Sequence, residues 1–376
     1  MSAGVYKKRR AGFATWMARE SIALVMFADS ERQRSPSVRY FTGHPCDAVL
    51  FLTVTGESVL CPWDENLAAR CADAEKIIPY TDFRMDPVEA CKCVAVLLGT
   101  PARSNIEIPG TTSYPEFLSY VDALRDFDVI CRTGGAGQAL ADMRMIKDGD
   151  EIAQIRKACG IADAIAAMIE KKVRAGQLKT ETDVALFIEK EARKAGAEGT
   201  SFETLAAGAS RSQMIHAFPA SGSGVFGGPG LSILDFGVKY QGYASDKTLT
   251  FVSGSLTAPQ EKMIAAVEKA YAESLPLYHP GKPVREAAQK ADDVFSRIRC
   301  KMPHGLGHGI GLEIHEAPFV RSRLSGSDGT VFQPGMVVTL EPGLYSAKEG
   351  GVRLENDILI TETGNEVLTD SRIVYL

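Results

Sequence analysis

His304-Gly305-Leu306-Gly307-His308-Gly309-Ile310-Gly311-Leu312-Glu313-Ile314-His315-Glu316 is the stretch around which the chain reads. It leads on to Thr339-Leu340-Glu341-Pro342-Gly343-Leu344-Tyr345 and to Gly351-Val352-Arg353-Leu354-Glu355-Asn356. Three of the six histidines in the chain fall in the first run. Glu341 and Glu355 each sit inside an apolar, strand-like segment, where a bare carboxylate is costly to desolvate. Histidine and carboxylates concentrated in this way point to a nearby cation.

Working outward, the two glutamates lie on the arms of one hairpin, Gly335 to Tyr345 and Val352 to Thr361, around Ala347-Lys348-Glu349-Gly350-Gly351. Both are equidistant from Lys348. Upstream, Leu231 to Gly237 and Tyr243 to Phe251 flank Tyr240-Gln241-Gly242 and read as a second hairpin, with Asp235 and Asp246 equidistant from Tyr240-Gln241. Symmetric pairing would set each acid opposite its mate, with Cβ atoms about 5 Å apart. Like charges at that distance raise each other's pKa. Two divalent cations would balance four carboxylates, and a pair about 3.5–4 Å apart is the spacing of hydrolases that hold a bridging hydroxide. His308 is the natural fifth ligand, since a neutral imidazole adds binding without adding charge. This hard, oxygen-rich set suits Mn²⁺, and tolerates Co²⁺ or Fe²⁺, better than a site built from thiolates. Taken singly, Asp235 reads equally well as a turn residue and Asp246 as a solvated strand residue, Glu341 and Glu355 read better as a hairpin-end acid and a surface residue, and His308 reads as a loop histidine. Their joint placement carries the metal reading.

Helices precede each hairpin. Ile152, Ile155, Cys159, Ala162, Ile165 and Ile169 recur at helical spacing. A second helix starts after Thr180, with Asp183 as capping partner, and stops at Gly196. A third starts at the capping box Thr257-Ala258-Pro259-Gln260 and ends before Pro276; a fourth runs from about Pro283 to Arg299. Helix, helix, hairpin thus appears twice, which implies an internal duplication. In the first third, Ala48 to Val54 and Ser58 to Cys61 read as a strand pair, and Val94 to Gly99 as a buried strand. The glycine-rich break Arg132 to Gly137 marks the boundary between an N-terminal α/β domain, 1–142, and a catalytic domain, 143–376.

Composition narrows the function classes. A chain of 376 residues, 45% hydrophobic and 24% charged, can bury a large core, and no segment is long and apolar enough to span a bilayer. A net charge of −5 gives no reason to expect nucleic acid or an acidic membrane as partner. The eight cysteines form no CxxC pair or Cys/His ladder, which argues against structural zinc. Lys7-Lys8-Arg9-Arg10 mimics the start of a signal peptide, but Arg19-Glu20 interrupts the apolar run that follows. A cytoplasmic protein with reduced thiols is expected.

The pattern Asp235-x-Gly237, Asp246-x-Thr248, His304-Gly-Leu-Gly-His308, His315-Glu316-x-Pro318, Glu341-Pro342-Gly343 and Gly351-x-Arg353-x-Glu355 closely resembles the proline-specific metallopeptidases of the creatinase/aminopeptidase P/prolidase family. The resemblance covers the chain from about residue 143, and Val38-Arg39-Tyr40-Phe41-Thr42-Gly43 extends it into the N-terminal part. It implies a "pita-bread" α+β C-terminal domain with an internal pseudo-two-fold, a smaller α/β creatinase-like N-terminal domain and a homodimer. It implies a binuclear site with Asp235, Asp246, His308, Glu341 and Glu355 as ligands, Asp246 and Glu355 bridging. Glu341 would also shuttle the proton from the attacking water to the leaving nitrogen. His216 and His315 match the family's substrate-side histidines, and His304, Tyr345 and Arg353 match residues that line or brace the pocket. The expected activity is hydrolysis of Xaa-Pro bonds in peptides or dipeptides, with two divalent ions, Mn²⁺ first and Co²⁺, Fe²⁺ or Zn²⁺ as other occupants.

The sequence departs from the family pattern at three places. Leu249 follows Thr248 where arginine is common. Phe319 follows His-Glu-x-Pro where dipeptide-specific members carry a carboxylate-holding arginine, and Arg321 comes two residues later. Asn356 replaces a common aspartate. Methionine aminopeptidases share the five ligands, but usually lack an N-terminal domain of about 140 residues. Two other readings stay open from sequence: hydrolysis of a small non-peptide C–N substrate, and a non-catalytic binding module on the same scaffold.

Overall fold

A computed structural model describes residues 4–323 and 329–376. The chain forms two units, Met1–Arg144 and Met145–Leu376. The first carries a six-stranded sheet in the order Lys76–Ile77, Ser58–Pro62, Ala48–Thr53, Ile22–Asp29, Asn105–Glu107, Asp128–Ile130. Ala48–Thr53 and Ser58–Pro62 pair antiparallel with Leu50 opposite Leu60.

The strand expected over Val94 to Gly99 is instead the end of a helix, Pro87–Leu97. A short apolar run does not distinguish strand from helix by itself. The start signal upstream decides: the Asp86 side chain accepts from the Val88 and Glu89 N–H groups, and Pro87 occupies the first turn. One face, with Ala90, Cys91, Val94 and Ala95, is buried, whereas Val96 and Leu97 face solvent.

In the second unit each half places two helices against one sheet. The first pair is Gly149–Arg174 and Glu181–Lys194, opened by reciprocal capping boxes at Asp148/Glu151 and Thr180/Asp183. Their apolar faces meet a four-stranded sheet in the order Ile373–Tyr375, Lys247–Ser253, Gly230–Phe236, Leu205–Ala207, so that Ile165, Ile169, Val184 and Ile188 pack with Leu234, Phe236 and Phe251. The second pair, Ala258–Ser274 and Val284–Arg297, covers a five-stranded sheet in the order Glu316–Val320, Gly307–Gly309, Val337–Leu340, Asn356–Ile360, Asn365–Val367. There Val267, Ala287 and Phe295 pack with Leu306, Val338 and Ile358. Helix, helix, sheet therefore occurs twice, and the second core also takes in Leu231, Val252 and Ile373 of the first sheet.

The two hairpins differ in register. In the second, Leu340 pairs with Asn356 and Gly343 with Arg353, both in phase about Lys348. Glu341 and Glu355 lie between these two ladders and are not themselves paired in either: Glu355 bridges to Thr248, and the Glu341 N–H donates to the Leu306 carbonyl. In the first, Tyr240 pairs with Tyr243 and Asp235 with Thr248. The symmetric pairing of Asp235 with Asp246 does not form; in this register Asp246 falls opposite Gly237. The cause is the turn. Gln241 and Gly242 both have positive φ, 49° and 85°, as in a two-residue type I′ turn, which shifts the hairpin centre one residue beyond Tyr240-Gln241. Gly237 is constrained for the same reason: a Cβ there would run into the Ser245 carbonyl and the Ser201 hydroxyl.

Gly237→Ala should therefore destabilise by about 1–3 kcal/mol, the usual cost of forcing atoms into a filled site. Urea unfolding of the purified variant is the measurement. A midpoint equal to that of the parent chain would show that the hairpin bends without that close approach.

Candidate metal centre

Glycines isolate His308. A Cβ on Gly307 would meet the Thr339 carbonyl, and one on Gly309 the Ala317 carbonyl. Neighbouring strands therefore approach too closely for side chains at these positions, leaving the imidazole of strand Gly307–Gly309 to project alone. Its Nδ1 lies 3.1 Å from the Gly309 carbonyl, which can only accept, so Nδ1 carries the proton and the Nε2 lone pair faces the acids. Nε2 is 3.6 Å from Asp246 Oδ2 and 3.8 Å from Glu341 Oε1. Ligand atoms of Asp246, His308 and Glu355 all lie within 4.8 Å of one another.

The other acids close the cluster. Asp235 Oδ2 accepts from Arg353 Nη2 at 2.5 Å. Thr248 Oγ1 donates to Glu355 Oε2 at 2.7 Å, and the Asp246 N–H donates to Asp357 Oδ2 at 2.9 Å. Asp235 Oδ1 and Asp246 Oδ1 are buried and lack any hydrogen-bond partner.

Burial first, and then the neighbouring carboxylates Glu355 and Asp235, push Asp246 far above the usual acid range. Burial, Glu341 and Asp235 do the same to Glu355. Burial lifts Glu341 to about 8, with the Arg353 charge opposing and the Asp235 charge reinforcing. His308 is pushed down to about 4 by burial and by His315, so it is neutral near pH 7. Two orphaned carboxylate oxygens, three acids driven towards protonation and a neutral imidazole aimed at them make a site that lacks positive charge. These residues fit divalent cations, and their oxygen-rich donor set fits a hard ion.

Arg353 links the cluster to the surrounding pocket. It is buried, and besides Asp235 it donates to Thr248 Oγ1 at 3.0 Å, the Tyr345 hydroxyl at 2.8 Å and the Ile215 carbonyl at 3.1 Å. The Tyr345 hydroxyl is 3.0 Å from His304 Nε2, while His304 Nδ1 is 2.8 Å from the Gly305 carbonyl. The His315 ring centroid is 4.3 Å from that of His308. His216 and His315 are exposed and line one cavity together with the five candidate ligands, His304 and Arg353.

Three further contributors were not singled out from sequence. Asp357 supports the backbone of Asp246. Because side chains alternate along a strand, Glu355 and Asp357 share a face while Asn356 turns away, where its Oδ1 accepts from Thr369 and Ser371. Period two counted from Glu355 would have found Asp357. Thr248, quoted only as part of a motif, bridges Arg353 and Glu355. Glu316 forms a buried ion pair with Lys147 at 3.2 Å and accepts from the Glu313 N–H at 3.0 Å, propping the loop that carries His315.

A family model described as metallopeptidase family M24 matches residues 153–362, and the chain belongs to that family. Among curated relatives, it is 34% identical over 362 residues to an Xaa-Pro dipeptidase of Pyrococcus horikoshii, covering 94% of each chain. It is 32% identical over 366 residues to the Xaa-Pro dipeptidase of Pyrococcus furiosus, covering 96% of this chain and 98% of that one. Among solved structures, the prolidase from Pyrococcus furiosus superposes with a TM-score of 0.78 at 27% identity, over 96% of this chain and 99% of that one. The Xaa-Pro dipeptidase from Bacillus anthracis gives 0.83 at 26%, over 98% and 100%. The fold is the pita-bread fold of these peptidases, and the protein is a metallo-exopeptidase.

The crowded carboxylates give the metal-free protein a characteristic pH response. The folded pKa of Glu341 lies above its ordinary value of 4.5, at about 8. The stability of its protonated form is whole below 4.5 and is lost as pH rises towards and through 8, at up to about 1.4 kcal/mol per pH unit for each such carboxyl. In chelator, Tm should fall between pH 5.5 and 8, and added Mn²⁺ should abolish the fall. A flat metal-free profile in scanning calorimetry would contradict the charge-starved cluster.

Proposed function

We propose that the protein hydrolyses Xaa-Pro bonds at a pair of divalent cations, manganese by preference, held by Asp235, Asp246, His308, Glu341 and Glu355. The observation that carries this reading is that ligand atoms of Asp246, His308 and Glu355 lie within 4.8 Å of one another, with Glu341 3.8 Å from His308 and Asp235 lining the same cavity, while two buried carboxylate oxygens are left without partners. The Xaa-Pro bond as target is supported by the relatives of Pyrococcus and Bacillus anthracis, which are named Xaa-Pro dipeptidases or prolidase. When bound, the cations supply a water of lowered pKa at neutral pH and positive charge beside the scissile carbonyl.

The chain's own residues then divide the work. The nitrogen of any peptide bond, proline's included, must gain a proton as the C–N bond breaks. Glu341 is the natural carrier. Of the four acids it is the most open to the cavity, with a side chain 19% exposed against 12% for Asp235 and 6% for Asp246. It takes the proton from the attacking water and delivers it to the leaving nitrogen. His315 and His216 line the cavity wall, and in this reading they donate to the substrate's carbonyl or carboxylate oxygens. Arg353 and Tyr345 hold Asp235 and His304 in place, so these groups need no reordering when substrate enters.

Manganese-loaded protein should cleave an Xaa-Pro dipeptide and leave the matching Xaa-Gly dipeptide intact. Glu341→Gln keeps the volume and one oxygen ligand but cannot carry a proton, so kcat should fall by about 10²–10⁴. Cleavage is followed by proline release, and metal content by elemental analysis. Absence of Xaa-Pro cleavage in fully loaded protein, or unchanged turnover in Glu341→Gln, would sink the assignment.

A further inference from the structure

Glu181 is a buried carboxylate with no place in the cluster described above. It opens the helix Glu181–Lys194, yet it does not cap it, because the Thr180 side chain already accepts from the Asp183 N–H. All its bonding goes to a distant loop. Oε1 accepts from the Gly208 N–H at 2.8 Å; Oε2 accepts from the Gly222 N–H at 2.8 Å and from Arg211 Nη1 at 2.6 Å. Arg211 Nη2 in turn donates to the Pro219 carbonyl. Beside it, the N–H and hydroxyl of Thr182 donate to the Gly222 carbonyl, and the Glu181 N–H to the Gly224 carbonyl.

These contacts bracket residues 208–224, a segment without helix or strand. It carries Ile215, His216, Ala217 and Phe218 into the cavity. Glycines let the backbone come this near the acid. A Cβ on Gly222 would lie 2.9 Å from Arg211 Nη1, and one on Gly224 would lie 3.3 Å from Glu181 Oε1. The other side of the segment is tied to the metal-centre hairpin, where the Gly351 N–H donates to Ser212 Oγ at 3.1 Å and Arg353 to the Ile215 carbonyl. A chain of this length without regular structure loses backbone entropy at every residue when it is fixed. A buried carboxylate holding three donors, one charged, offsets that cost where few apolar contacts are available.

We infer that Glu181 is the positioning residue for the His216–Phe218 wall of the substrate cavity: it acts through the segment and touches neither substrate nor metal. For its effect on turnover this rests on the Xaa-Pro reading; for its effect on the segment it does not. None of the five candidate ligands lies within residues 208–224, so loss of Glu181 leaves metal binding intact while loosening the substrate wall. Glu181→Gln removes one acceptor and turns an amide N–H₂ against a backbone donor.

The test uses the full manganese-loaded chain carrying Glu181→Gln, alone and with His216→Ala. Hydrogen exchange in residues 208–224 should rise at least about tenfold while metal stoichiometry stays that of the parent. The kcat/KM for an Xaa-Pro dipeptide should fall about 10–100-fold, mostly through KM. In the His216→Ala background Glu181→Gln should cost less than about threefold, since both act through one wall. If Glu181→Gln does not fold, Arg211→Met, which spares both backbone donors to the acid, carries the same readouts. Unchanged exchange in that segment, or a Glu181→Gln loss that multiplies in full onto His216→Ala, overturns the inference. If the parent chain cleaves no Xaa-Pro peptide, the functional reading fails, and the exchange measurement alone decides the role of Glu181.

Discussion

Repulsion among four carboxylates governs the catalytic unit. Asp235, Asp246, Glu341 and Glu355 converge on one largely buried pocket, where the Arg353 guanidinium pairs with Asp235. Two of their buried oxygens have no partner at all. A protein has few ways to tolerate such a cluster: it protonates the acids, as the raised values of Asp246, Glu341 and Glu355 indicate for the metal-free state, or it binds cations. The rest of the architecture keeps the acids from relaxing apart.

That restraint is distributed through the backbone. Asp235 sits on strand Gly230–Phe236, and Asp246, Glu341 and Glu355 each adjoin the end of a strand whose residues pack in the apolar cores under the helix pairs, so the backbone around the cluster has little freedom to turn the acids away. Glycines at 307 and 309 remove side chains where strands approach most closely, and Gly237 does the same where the first hairpin bends. Fixed donors complete the setting. Thr248 holds Glu355, Asp357 holds the backbone of Asp246, and Arg353 holds Asp235 while also reaching Tyr345 and the Ile215 carbonyl. The charge cluster and the substrate wall therefore share one rigid hub. Such preorganisation separates a working metal site from a loose group of acids.

Much of this was legible in the chain itself. The five candidate ligands, the helix starts at Thr180 and Thr257, and the Lys348-centred hairpin follow from residue type and spacing, because caps and periodicity act over a few residues. Two readings failed for reasons that are also local. Val94 to Gly99 is apolar enough for a strand, but Asp86-Pro87 had already started a helix. The pairing of Asp235 with Asp246 depended on the turn centre, which the positive φ of Gln241 and Gly242 moves by one residue.

Sequence by itself determined which side chains could carry the chemistry, since ligand type and spacing along a strand are properties of the covalent chain. Only the tertiary structure decided which of them meet. Arg353 reaches Asp235 across 118 positions, Asp357 reaches Asp246 across 111, and Glu181 ties down Gly222 across 41. None of these contacts has a local signal, because burial and a shared partner exist only once the sheets have packed.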